Sequence, residues 1–316
     1  MKIIDKSIKN IHDDPDLNVH FNSAKNNNLD INCNFLNDNF YIDAHNFFPI
    51  SEDYFSFLEL FSWGDKSKYN IFYTDSFINN FEANLNEFSH LSEIVVLGSS
   101  SNDNYYRNLI TFFPRLFFLK NKKIKLALHR KSSNKYRNFI KKICNNLKID
   151  TQFVFLDDGF YKFNKSQIPQ FLNKRDSVQI LNNLKLTNKS PKDRIYVTRQ
   201  NTNYRNLINE SDLIIQLKKL DFKVVDLNHY DIFEQIRIFS NAKIIVSPTG
   251  SALTNIVFCN PNTKIMEISP HYNYEYEETF KLKYKSISDM LNLEYMNIEA
   301  DSVSVKNINE NIQNKI

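Results

Sequence analysis

The chain has 316 residues, 42% of them hydrophobic and 14% aromatic, which is enough apolar material for a globular core and excludes a disordered protein. A formal net charge of +4, mixed evenly among 24% charged residues, argues against a nucleic-acid partner, because such proteins usually carry a concentrated basic stripe. The N-terminus has no apolar signal segment and no run of 18 apolar residues occurs, so we expect a cytoplasmic protein.

The first half of the chain becomes regular only from residue 93. Before that point, residues 40–48 and 68–74 resemble strands and residues 55–63 resemble a helix. After it, short β-branched runs alternate with helical periods, which is typical of βαβ units in a parallel sheet. We predict strands over 93–99, 123–129 and 151–158 and helices over 105–119 and 135–147.

A second alternating series follows the polar segment 189–193. It predicts strands over 194–200, 222–227, 243–248 and 263–269, and helices over 209–220, 231–242 and 251–259. Asn209 is placed to cap the first of these helices, with Asp212 three residues later. A polar helix over 170–186 would join the two halves, and a helix over 279–291 would pack back toward the first half. Two parallel-sheet halves imply a cleft between them.

Polar residues follow the strands of the second half, where ligands of open parallel sheets bind. They comprise Arg199, Arg205, Asn209, Glu210, Thr249, Gly250, Ser251 and, within the last strand, Glu267. Arginines and a small-residue turn suit a diphosphate, and a glutamate suits ribose hydroxyls. In the structural alternative, the arginines pair with Glu210 and Asp212, Gly250 only permits close packing, and Glu267 makes a local cap. Spacing alone leaves both interpretations open.

Several other kinds of site are not indicated by the sequence. The dinucleotide fingerprint GxGxxG and the phosphate loop GxxxxGK[ST] are both absent. Cys33, Cys144 and Cys259 are too widely spaced for a zinc site or a disulfide framework, so we expect buried thiols in a reducing compartment.

Two segments, RIYVTRQNTNYRNLINESDLIIQLKKLDFKVVDL and FEQIRIFSNAKIIVSPTGSALTNIVFCNPNTKIMEISP, closely resemble the glycosyltransferase family 61 domain. The pattern of that family is met by Arg199, Arg205, Asn209–Glu210, Glu234–Gln235, residues 250–255 and Glu267. A weaker resemblance in the first half involves Asn104 and the run Pro114, Arg115 and Leu116.

This resemblance implies an α/β protein of GT-B type, with two Rossmann-like domains whose parallel sheets face a central cleft. It implies inverting, metal-independent transfer from a nucleotide sugar, with no cofactor. Residues 1–170 would form the acceptor-side domain, 171–285 the nucleotide-sugar domain, and 286–316 a C-terminal helix or strand and tail. The donor site would comprise Arg199, Arg205, Asn209, Glu210, Thr249, Gly250, Ser251, Thr254, Asn255 and Glu267.

The implied acceptor is a glycan or lipid-linked glycan of a bacterial surface polysaccharide, such as capsule or lipopolysaccharide O-antigen. Peripheral contact with the cytoplasmic face of the inner membrane would accompany it. Family members usually have a histidine where this chain has Thr249, and a histidine and an aspartate where it has Arg107 and Thr111.

These departures leave the catalytic base open, since inverting transfer needs a group that takes the proton of the acceptor hydroxyl. The candidates near strand ends are Asp103, His129 and Asp157 or Asp158, with Arg107 as a further catalytic candidate. The alternatives are that His129 is a surface residue, that the protein is a catalytically inactive glycan-binding or assembly protein, or that it is a hydrolase on the same fold.

Overall fold

The computed structural model describes residues 2–8, 19–60, 73–100, 103–119, 123–186, 190–202, 206–270, 277–300 and 303–304. The chain divides into two compact units, residues 1–180 and 181–316, so the predicted boundary at residue 170 falls inside the first unit. The roles assigned to the two domains stay predictions. Within the described ranges, no helix is both long and apolar enough to cross a membrane.

The first unit is built on a mixed sheet. Its strands are β1 (Ile4–Lys6), β2 (Phe21–Asn26), β3 (Ile31–Asp43), β4 (Phe48–Ser51), β5 (Phe55–Phe57), β6 (Ser89–Ser92), β7 (Ile94–Val96), β8 (Lys123–His129), β9 (Asp150–Leu156) and β10 (Phe160–Pro169). The main sheet has the order β2-β3-β10-β7-β8-β9, with β4 beside β3 and β6 beside β10, while β1 pairs with β5.

The strands β10, β7, β8 and β9 are parallel, as a βαβ pattern predicts. The prediction of a purely parallel sheet is wrong at the other edge, where β3 pairs antiparallel with β2, β4 and β10. The long strand β3 forms because Ile31, Cys33 and Phe35 alternate with more exposed asparagines, which gives it one buried face.

The helices of the first unit are α1 (Asp75–Asn84), α2 (Tyr105–Arg107), α3 (Asn134–Asn146) and α4 (Lys174–Asn182), the last of which reaches into the second unit. The α2 helix continues as a π-helix over Asn108–Phe112 and a 3₁₀ helix over Phe113–Phe118. The geometry changes near Pro114, which has no N–H to donate. The predicted helix over 105–119 is therefore helical but not a regular α-helix.

Two predictions in the first 92 residues meet different outcomes. The predicted helix over 55–63 is wrong at its start, because Phe55–Phe57 pairs as a strand with Ile4–Lys6. Leu58–Leu60 forms a 3₁₀ turn, and residues 61–63 lie outside the described residues. The predicted strand over 68–74 falls mostly outside the described residues, which resume at residue 73.

The second unit contains a fully parallel sheet in the order β13-β11-β14-β15-β16. The strands of this unit are β11 (Asp193–Val197), β12 (Asn206–Leu207), β13 (Phe222–Val225), β14 (Ala242–Pro248), β15 (Lys264–Pro270), β16 (Glu294–Ala300) and β17 (Val303–Ser304). All four strands predicted for this half are confirmed. The β16 strand adds a fifth to the same sheet, and β12 pairs with β17.

The helices of the second unit are α5 (Glu210–Lys219), α6 (Ile232–Asn241), α7 (Glu277–Met290) and two 3₁₀ helices, Leu227–His229 and Ser251–Phe258. Asn209 precedes α5 but does not cap it with its side chain, because its φ of −102° and ψ of 28° are not the extended conformation of a capping residue. The α7 helix packs on the second 3₁₀ helix and on β16, within its own unit.

Candidate functional site

The loop that leaves β11 is held by the buried carboxylate of Glu210. One oxygen, Oε1, accepts hydrogen bonds from the Tyr196 hydroxyl at 2.9 Å, the Thr198 hydroxyl at 2.7 Å and the Arg199 N–H at 2.9 Å. Thr202 then donates its hydroxyl to the Arg199 carbonyl at 2.8 Å. Glu210 therefore fixes the backbone from which the Arg199 side chain projects, at the carboxyl end of the strand.

The guanidinium of Arg199 lies against the backbone of Gly250. A Cβ atom at Gly250 would be 2.8 Å from Arg199 Cζ and closer still to Nη1. The Gly250 φ of 164° and ψ of 171° are extended and open to any residue, so conformational freedom is not what this position requires. What comes close to the backbone here is an arginine side chain, and a Cβ atom at this position would force it to move.

Two tyrosines form hydrogen bonds to residues of the predicted donor site, one to Gly250 and one to Glu267. Tyr284 of α7 donates its hydroxyl to the Gly250 carbonyl at 2.6 Å, and Tyr295 of β16 donates to Glu267 Oε2 at 2.7 Å. Burial and the charge of Glu267 raise the pKa of Tyr295. Glu267 pairs in register with Ser247 of β14, the strand that leads to Gly250, and Gly250 in turn lies against Arg199.

Other residues of the family pattern are engaged in holding the fold. Asn255 donates its amide to Gln235 at 3.1 Å, and Gln235 donates to the carbonyls of Leu227 and Tyr230 at 3.0 Å each. Glu234 forms a capping box with Asp231 at the start of α6. Glu234, Gln235 and Asn255 therefore connect α6, the loop that precedes it and the 3₁₀ helix Ser251–Phe258.

The remaining predicted donor residues occupy different environments. Thr249 is buried and its N–H bonds to the Ile268 carbonyl at 2.7 Å, whereas Ser251 and Asn209 are exposed. Thr254 is fully buried, and its hydroxyl has no hydrogen-bond partner among the described residues. Arg205 lies outside the described residues.

The predicted catalytic residue Asp103 precedes α2, and Arg107 is the last residue of that helix. Asp103 Oδ1 accepts from the Ser133 N–H at 3.0 Å and from the Asn108 amide at 3.1 Å, and burial raises the pKa of this carboxyl. The Arg107 guanidinium lies over the ring of Phe112, 5.6 Å from its centroid.

His129, the third catalytic candidate, is fully buried. Its Nδ1 accepts the Lys131 N–H at 3.1 Å, so the proton of the neutral ring is on Nε2, which donates to Asp158 Oδ1 at 3.0 Å. Because both ring nitrogens are committed, this histidine has no lone pair to offer a substrate. The alternative that it is a surface residue is wrong, because its side chain is buried.

Sequence reasoning missed a histidine that shares the same aspartate. His45 Nδ1 lies 2.8 Å from Asp158 Oδ1, and Lys131 Nζ donates to Asp158 Oδ2 at 2.7 Å. The lysine first, and then His45, holds the pKa of Asp158 well below its usual range. His45 and Asp158 are 113 residues apart in the chain, and His45 lies before the regular pattern begins, so no local signal pointed to the pair.

Arg115, which belongs to the weaker resemblance in the first half, is buried. It donates to the carbonyls of Leu97 and of Pro169, the latter at 2.8 Å, and stacks on Phe171 at 4.1 Å. Burial lowers the pKa of this guanidinium to about 9, and it raises the pKa of the nearby Cys33 thiol to about 12. All three cysteines are free and buried, as predicted.

Among the described residues, no group of three or more His, Cys, Asp or Glu side chains could hold a metal ion.

Comparisons with known proteins point to one family. The sequence model of the family described as Glycosyltransferase 61 matches residues 89–266, more than half of the chain. Similar proteins include the EGF domain-specific O-linked N-acetylglucosamine transferases of Gallus gallus, Canis lupus familiaris and Mus musculus, at 31%, 29% and 29% identity over 112 residues. These matches cover 33% of this chain and 20%, 21% and 21% of the relatives, so the chain spans about a fifth of their length.

Proposed function

This chain belongs to glycosyltransferase family 61, and we propose from that premise that it transfers a sugar from a nucleotide-sugar donor to a hydroxyl group of an acceptor. The second unit would bind the donor, and the first would bind the acceptor, in a GT-B arrangement. Membership of the family supports this proposal, and so does the similarity to named N-acetylglucosamine transferases.

The single observation that carries the donor site is the position of Arg199. Its guanidinium lies beside Gly250, at the start of the 3₁₀ helix and at the carboxyl ends of β11 and β14. Guanidinium groups bind phosphate oxygens through paired, charge-assisted hydrogen bonds, and ligands of parallel sheets bind at this end of the strands. Arg199 would therefore hold the diphosphate and neutralise its charge as it leaves, with Arg205 as its predicted companion.

Glu267 is the carboxylate placed to contact the ribose in this proposal. Its Oε2 accepts from Tyr295, which orients the carboxylate on the strand next to β14, whose carboxyl end leads to Gly250. We assign Glu210 and Asn255 a different part, because the described contacts of Glu210 hold the loop that carries Arg199, and those of Asn255 tie the 3₁₀ helix Ser251–Phe258 to α6.

For the acceptor, we propose a glycan of a bacterial surface polysaccharide, which is the class that the sequence resemblance implies. The named relatives are animal enzymes whose names specify EGF domains as their targets, so an EGF-like domain is the second acceptor to test. A cytoplasmic location, contact with the inner membrane and independence of metal ions remain predictions.

Calorimetric titration with UDP, GDP and CMP tests the donor site. We expect one of the three to bind the wild type, and Arg199→Ala to weaken that binding at least tenfold because a charge-assisted contact is lost. Arg237→Ala is the matched control, since Arg237 is exposed on α6, and it should bind as the wild type does. Equal binding by Arg199→Ala would refute the donor-site assignment.

Turnover of nucleotide sugars separates an enzyme from a binding protein. UDP-N-acetylglucosamine is the first donor to test, because the relatives are named for that sugar. Nucleotide binding without release of the nucleotide from any donor would instead favour the catalytically inactive glycan-binding protein. Release of free sugar that no acceptor accelerates would favour the hydrolase.

A further inference from the structure

One segment of the first unit departs from the even mixture of charges found over the whole chain. Residues 104–149 contain 13 of the 40 lysines and arginines and none of the 36 aspartates and glutamates. The rest of the chain therefore has more acidic than basic residues. An asymmetry of this kind creates a local positive field that the net charge of +4 conceals, and such a field attracts a partner of opposite charge.

The α3 helix lies within this segment and is amphipathic. Its apolar face is buried in the first unit, where the ring of Phe139 stacks on that of Phe113 with the centroids 4.3 Å apart. Lys141 and Lys142 lie outside the apolar stripe, and both are exposed. Because the apolar face is already covered by the protein, a partner of α3 would meet its charged side.

Two further exposed lysines lie at the amino ends of β8 and β9, next to the end of α3. Lys148 precedes the first residue of β9, Asp150, by two positions, and Asp150 pairs in register with Lys123 at the start of β8. The side chains of Lys123, Lys141 and Lys148 form no ion pair within the part of the chain that the structure describes. Together with Lys142, these three residues form what we call the lysine surface.

The chemistry of the lysine surface favours an anionic lipid bilayer over a nucleic acid. Nucleic-acid sites rely on arginine forks and on exposed aromatic rings that stack with bases. Here Arg130 is paired with Asp157 at 2.7 Å, the Arg137 guanidinium lies 4.2 Å from the ring centroid of Phe155, and the aromatic side chains of α3 are buried. Lysine ammonium groups are compact charges, which an anionic membrane surface attracts without requiring one geometry.

We propose that the lysine surface docks this protein on the anionic face of a lipid bilayer. All four lysines belong to the first unit. The attraction is electrostatic, so it acts within a Debye length of about 8 Å at physiological salt and weakens as salt is added. This docking is independent of sugar transfer and goes beyond the proposed function, although a docked protein would meet a lipid-linked acceptor at the same bilayer.

Sedimentation with lipid vesicles tests the docking of the full chain. The wild type should bind vesicles of phosphatidylcholine with about one third phosphatidylglycerol, and it should stay in solution with phosphatidylcholine alone. Raising NaCl from about 0.1 M to about 0.5 M should release it. Lys141→Gln/Lys148→Gln should weaken binding roughly 25-fold, since each lysine near an anionic surface contributes about fivefold. A second variant, Lys123→Gln/Lys141→Gln, should show a similar loss.

Lys218→Gln/Lys219→Gln is the matched control, because it removes the same charge from two exposed lysines of α5 in the second unit. It should bind the anionic vesicles as the wild type does, and all the variants should melt at the wild-type temperature because the substituted side chains are exposed. An equal loss of binding in the control, or equally tight binding of the wild type to neutral vesicles, would overturn the docking surface.

Two further outcomes separate this docking from its alternatives. Displacement of the protein from the vesicles by a DNA duplex at equal phosphate concentration would identify a nucleic-acid partner and overturn the lipid assignment. A wild type that binds the anionic vesicles but none of UDP, GDP or CMP overturns the proposed function alone. A wild type that releases UDP from UDP-N-acetylglucosamine but does not bind the vesicles overturns the docking alone.

Discussion

The Gly250→Ala substitution tests the relationship between Gly250 and Arg199 most sharply. The added Cβ would lie 2.8 Å from Arg199 Cζ, well inside van der Waals contact, whereas the extended backbone at Gly250 accepts alanine without strain. The side chain of Arg199 must therefore move, while the fold need not. We expect the free energy of unfolding to change little, because the atoms that must shift are the far end of a flexible side chain.

Gly250→Ala should weaken nucleoside diphosphate binding more than the addition of a methyl group elsewhere on the surface would. Hydrogen bonds to charged groups contribute about 1.5–3 kcal/mol, so displacement of the guanidinium should weaken binding of the nucleoside diphosphate roughly 10- to 150-fold. Calorimetric titration measures this change, and urea denaturation measures the change in stability in parallel.

A double-mutant cycle supplies the control for Gly250→Ala. In Arg199→Ala the guanidinium is absent, so adding Gly250→Ala to it should cost little further binding and little stability. Strict additivity of the two substitutions, or wild-type affinity in Gly250→Ala, would show that the close approach of Arg199 to Gly250 does not matter for the nucleotide.

Three further predictions concern the supporting contacts. Glu210→Gln should lower the free energy of unfolding, measured in urea, by about 1–3 kcal/mol, because it alters a buried acceptor of three hydrogen bonds. A variant as stable as the wild type would contradict the role of Glu210 in holding the loop after β11. Tyr284→Phe should lower the melting temperature because the buried Gly250 carbonyl loses its hydroxyl donor, and an unchanged temperature would argue against this contact. The pKa of Asp158 is lowered in the folded protein, so denaturation curves should show a stability difference between wild type and Asp158→Asn at neutral pH. That difference should shrink as the pH falls below about 4. A difference that grows at low pH would contradict the ion pair between Asp158 and Lys131.

The second half of the chain shows what sequence can predict. The four strands predicted there are short β-branched runs between helical periods, and each of these runs forms a strand of the parallel sheet, to which β16 adds a fifth. The unusual Gly250 also predicted a close approach to the backbone. The approaching group could not be predicted, because the contact with Arg199 depends on the side-chain path that Glu210 and the neighbouring strands impose.

The first half shows where the sequence falls short. The β10 strand and its antiparallel pairing with β3 were not predicted, because pairing between strands over a hundred residues apart leaves no local period. His129 was chosen for its place at a strand end, but its burial follows from Ser99, Lys131 and Asp158 packing around it. His45 was missed for the same reason, since its partner comes from the far end of the same unit.

The most direct test of the central claim is a crystal structure of the chain with a bound nucleoside diphosphate. We predict that the phosphate oxygens lie within hydrogen-bond distance of the Arg199 guanidinium, at the start of the 3₁₀ helix that follows Gly250. A diphosphate bound elsewhere on the protein, with Arg199 making no contact to it, would contradict the account.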